Sequence, residues 1–149
     1  HIELFVLAHY RESIDPEQHL SELWKDVFLH HWREESQHAI LDEMEWARED
    51  AKLTPEQRDQ AVTDLIALVG AVDGILQMQS AADADYFLRI CGRALDRREV
   101  ERITAAFLAA YRWQYVVSGV QGRFSEVLAR MIGPAQFARV AAALAPILG

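Results

Sequence analysis

The sequence holds one cysteine in 149 residues, Cys91, so it has no intrachain disulfide. That usage suits a reducing compartment, and a cytoplasmic location is the expectation. Basic residues are also scarce. Fifteen Lys and Arg stand against 23 Asp and Glu, a net charge of -8, which argues against nucleic acid and anionic membrane surfaces as partners. There is no signal peptide, and no continuous apolar run looks long enough to cross a bilayer. Strand signals are nearly absent, and there is no internal repeat or low-complexity stretch. Cys91, in "RICGRALD", lacks a neighbouring partner pattern and reads as a plain half-buried thiol at a helix end.

What is present is helix. Half of the chain is apolar (51%) and a quarter charged (26%), the profile of one globular domain over residues 1–149, or of a piece of a longer chain, since the sequence opens inside a helical pattern, "HIELFVLAHYRES". Helix starts are well marked. "DPEQ" offers Asp15 as N-cap, Pro16 at the first helical position and Gln18 as the capping-box partner. "TPEQ" repeats the device with Thr54, Pro55 and Gln57, and "DRRE" does so with Asp96 and Glu99. These signals predict helices over about 1–13, 16–50, 55–91 and 97–118. Glycines at 119, 122 and 133 then break the pattern, and two shorter helices follow near 124–131 and 134–145. Long helices with short links predict an all-α fold, an antiparallel up-down bundle. Gly70 and Gly74 lower helix propensity in the third helix and suggest a close helix approach or a bend.

The chemistry is concentrated in "FLHHWREESQHAILDEMEW". At about 100° per residue, Leu20, Trp24 and Val27 share a face that continues into His31, Glu35, His38 and Asp42. The spacing H-x-x-x-E-x-x-H therefore brings imidazoles and a carboxylate onto one side of two turns. Burying them unpaired is costly, and such donors suit iron, manganese or zinc. A bundle site needs ligands from a second helix. The first helix offers Glu3, one hairpin upstream of Glu35, with His9 and Glu12 nearer the turn. The third offers Asp73, as a ligand, as a partner for a ligating histidine, or as a partner for Arg112; Asp83 and Asp85 are weaker candidates. Tyr111, Gln114 and Tyr115 read as pocket lining or as simple core. The bland alternative is a solvated acidic face. No histidine follows His38, so a second Glu-x-x-His does not come from the later helices.

Glu3 followed by "HHWREESQH" resembles the ferritin-like di-iron carboxylate superfamily, and within it the C-terminal metal-binding half of p-aminobenzoate N-oxygenase-like proteins. "LWKDVFLHHWREESQHAILDE" and "YRWQYVVSGVQ" are also similar to uncharacterised bacterial ferritin-like proteins. The motif part covers about residues 1–45. The resemblance implies a ferritin-like bundle with metal ligands Glu3, His31, Glu35 and His38; Asp73, Asp42, His9 and Glu12, which the helix faces offer, stand as further ligands or supporting residues. It also implies iron, O₂ and a small-molecule substrate. The family's other Glu and Glu-x-x-His would lie upstream of His1, so one chain of this length supplies half of a di-iron set, or a mononuclear site. Heme-oxygenase-like di-iron oxidases are a fold-level alternative. The function expected is an O₂-activating oxidase or oxygenase, against a non-catalytic bundle whose polar stripe is a hydrogen-bonded network or subunit interface. The abundance of apolar helix surface suggests a homodimer.

Overall fold

A computed structural model describes residues 1–148, and among them there is helix and no strand. Helix α1, Ile2–His9, runs on through a π-helical turn at Tyr10–Ile14. Then come α2, Glu22–Asp50, and α3, Pro55–Ile90. Helix α4, Arg97–Arg112, passes through a second π-helical turn, Trp113–Val117, into the short α5, Ser118–Val120. Helices α6, Arg123–Met131, and α7, Pro134–Leu148, complete the chain as described.

Two of the three expected helix starts form. Thr54 and Asp96 accept from the backbone N–H of Gln57 and Glu99, whose side chains accept from the N–H of Thr54 and Asp96 in turn. The third start is a correction. Asp15 stays in the right-handed helical region, where its N–H donates to Tyr10 O at 2.9 Å and its carboxylate lies 3.4 Å from the Tyr10 hydroxyl. It closes the preceding π turn and has no extended backbone to offer as a cap. Ser21 caps α2 instead, accepting from the Trp24 N–H at 3.2 Å.

The core lies among α3, α4–α5, α6 and α7. One cluster joins Leu76, Val116, Val120 and Ile147; a second joins Val62, Leu128 and Val140. Helix α1 rests on α5, where a Cβ on Gly119 would meet the His1 ring at 2.7 Å and its backbone oxygen at 3.1 Å, so a larger residue would displace His1. A Cβ added at Gly70 or Gly74 would meet nothing within 4 Å, so neither glycine is required by a close contact.

The up-down order is also corrected in part. At the hairpin α2 and α3 are joined: Arg58 donates to both carboxylate oxygens of Asp50, at 2.8 and 3.2 Å, and Trp46 packs against the second cluster. Beyond it their main partners differ, α2 lying on α1 and α6, and α3 on α4 and α7. Helix α2 consequently has no fully buried residue. A further correction concerns α3, which contains an 18-residue window of mean hydropathy 1.6 that is only 17% buried. By length and composition alone it is long and apolar enough to cross a bilayer, a test that a core helix also passes; the scattered Asp73, Gln77 and Gln79 disguise this in the sequence.

Candidate metal centre

Helix α2 turns Phe28, Trp32, Ser36 and Ala39 toward the rest of the chain. The His31–Glu35–His38 stripe is thereby rotated to the rim of that face. The expectation of a buried stripe is therefore corrected. The side chains of His31 and His38 are 45% and 48% exposed, and Trp24 and Val27 lie open as well. Glu35 is the covered member, its side chain 15% exposed.

Glu35 is held on both oxygens. His31 Nε2 lies 2.8 Å from Oε1, and His38 Nδ1 lies 2.9 Å from Oε2. From α1, Glu3 arrives beside it. One ligand atom each from Glu3, Glu35 and His38 lie within 4.8 Å of one another, the one such group among the described residues. His31 belongs to the network but not to that group. One oxygen of each carboxylate lies within 4.8 Å of the other. This contact raises the Glu3 carboxyl above the ordinary glutamate value, helped by burial and the charges of Glu35 and Asp42. The same contact, with His38 and His31, lowers that of Glu35. Glu35 in turn raises the imidazole of His38.

The other candidates lie elsewhere. Asp42 is exposed on the next turn, near enough to add its charge to Glu3. His9 is half-buried at the edge of the Phe28 ring, centroids 6.1 Å apart, and burial lowers its imidazole; Glu12 is exposed in the π turn. Asp73 is buried and fully engaged. Arg112 Nε and Nη2 donate to its two oxygens at 2.7 and 2.8 Å, and Gln77 adds a third bond at 2.7 Å. Of the three roles open to Asp73, the geometry shows the partner for Arg112. Tyr111 donates to Asp83 and stacks on Tyr115, centroids 5.8 Å apart, so both are core-side aromatics with one polar handle.

A half-open cleft of about 890 Å³ starts at Glu3 and Asp42 and runs between α2, α3 and α6, past Leu4, Ala39, Leu65 and the stacked pair Trp46 and Phe124. Arg123, in its lining, donates to Glu43 across α6 and α2. Neither the cleft nor this clamp was legible beforehand. Glu43 looks like one more acid in an acidic run, and Arg123 is 80 residues away.

The class defined by fold and site is an all-α helical protein with a half-exposed carboxylate–imidazole cluster at the edge of an apolar cleft. No family model, curated protein or solved structure matches the chain at a significant level.

Proposed function

We propose that this protein binds iron through Glu3, Glu35 and His38, with His31 orienting Glu35, and that it is an oxidase or oxygenase of the ferritin-like di-iron type. The observation that carries this reading is the convergence of three donor atoms from two helices within 4.8 Å, two of them on carboxylates. Like charges so placed favour either a proton or a cation between them. Two oxygens and an imidazole nitrogen fit iron well, and manganese or zinc by the same donor set. On this chain they amount to half of a dinuclear ligand set. Bound iron would supply redox chemistry toward O₂. The chain's own residues position Glu35 between two imidazoles, bring Glu3 to it from α1, and offer a small-molecule substrate the apolar cleft that starts at Glu3.

Elemental analysis after reconstitution with Fe²⁺ tests this. The expected result is stoichiometric iron in the wild type and its loss in His38→Ala and Glu35→Ala. A melt with Fe²⁺ at about 100 times its Kd should shift the midpoint up by roughly 5–10 °C, the equivalent of about 2.7 kcal/mol. Unchanged iron content in His38→Ala, or no shift, sinks the reading.

One observation favours a second reading, a non-catalytic network. Both oxygens of Glu35 already have imidazole partners, and the histidines are half in solvent. Under that reading purified protein carries no iron, and His31→Leu leaves the midpoint unchanged or raises it.

A further inference from the structure

Of the fourteen large apolar side chains that stand exposed, twelve lie on α2 and α3. The regular part is on α3. Asp64, Leu68, Ala71, Ile75, Met78, Ala82, Asp85 and Arg89 follow one another at alternating steps of four and three, and all eight are exposed. Leu68, Ile75 and Met78 are 61%, 58% and 70% exposed. This is a heptad seam on the side of α3 away from its contacts with α4 and α7, sustained over roughly 39 Å of helix.

We propose that this seam pairs two copies of the chain, α3 against α3, antiparallel about a two-fold axis between Ile75 and Met78. The charges at its ends select that arrangement. Asp64 accepts from Gln60 and meets no cation among the described residues, and Arg89 at the far end donates to Asp85 in an exposed pair that leaves its guanidinium room for a second carboxylate. Parallel pairing sets Asp64 against Asp64 and Arg89 against Arg89. Antiparallel pairing sets each Asp64 against the other copy's Arg89, Ile75 against Met78, Ala71 against Ala82 and Leu68 against Asp85. An isologous contact demands this kind of self-complementary face.

Sedimentation equilibrium on the whole chain tests it, with circular dichroism confirming that each variant keeps its helix. The expected species is a dimer of twice 17.0 kDa. Ile75→Glu should weaken association by at least about 100-fold without loss of helicity, because Ile75 takes no part in the monomer's core. Asp64→Arg and Arg89→Asp should each weaken it roughly tenfold, and the double variant should recover most of the loss. The proposal is overturned by a monomer across the concentration range, by association that Ile75→Glu leaves intact, by single charge variants indistinguishable from wild type, or by association only with detergent or lipid vesicles.

Discussion

Asp73→Ala is the sharpest probe of what holds α3 to α4. Asp73 is 8% exposed, and its two oxygens take the paired N–H groups of Arg112, whose side chain is 23% exposed. Truncation leaves a guanidinium facing the core with one aspect in water. Breaking a fully buried pair from one side costs about 3–5 kcal/mol, and the residual water at Arg112 lowers this to about 2–4 kcal/mol. For a chain of 149 residues that corresponds to a midpoint roughly 5–15 °C lower. Urea unfolding followed by circular dichroism gives the number. The double variant Asp73→Leu, Arg112→Leu should regain most of it, because no uncompensated charge remains. Arg97→Ala, which removes a largely exposed pair with Glu101, is the control and should change nothing measurable.

The pH dependence has a definite sign. The hydrogen bonds from Arg112 lower the Asp73 carboxyl, burial opposes them, and Gln77 and the charge of Arg112 reinforce them. A carboxyl whose folded-state pKa is depressed contributes stability that is complete above its unfolded value, near 3.9, and is lost as pH falls through the folded value. The wild-type advantage over Asp73→Ala should therefore be flat at neutral pH and collapse in acid. A loss below about 1 kcal/mol, or a double variant as unstable as the single, would show that apolar packing alone joins α3 to α4 and refute the reasoning.

Further expectations concern the cluster and the helix starts. Glu3→Gln should leave the metal-free midpoint equal or higher at neutral pH while abolishing the Fe²⁺-induced shift. The Glu3 carboxyl is raised, so its favourable contribution exists only below the ordinary glutamate value and is gone once pH passes the folded one. His38 is raised by Glu35, so the stability it adds is complete below the ordinary histidine value and fades as pH rises through the folded one. Melts of wild type and His38→Ala should converge in mild base. Thr54→Ala removes a complete capping box and should cost about 1 kcal/mol in urea. Tyr111 is pushed up to about 12 by its bond to Asp83, so an ultraviolet titration of Tyr111→Phe should lose the last phenol to ionise.

What the sequence made legible follows the range of the interactions. Thr54 and Asp96 were readable because a capping box closes within four residues. Asp15 carries the same signature, yet Tyr10 and the π turn compete for its backbone and carboxylate, and that competition depends on how α1 ends. The i, i+3 and i, i+4 bonds of Glu35 follow from helical geometry alone, as the spacing of His31 and His38 implied. The tilt of the stripe toward solvent was not legible. It depends on α2 lying against α1 and α6 rather than along α3, and the nineteen residues around Glu35 contain nothing about α6. Periodicity gives the angle between residues on a helix, not the direction in which the helix faces. On a helix as apolar all round as α3 it says still less: Leu76 and Ile75 are adjacent and chemically alike, one 7% exposed and the other 58%. Only Asp73, satisfied by Arg112, marks which side is inward. The outward side reads as core in the sequence because nothing local distinguishes a core within one chain from a core between two.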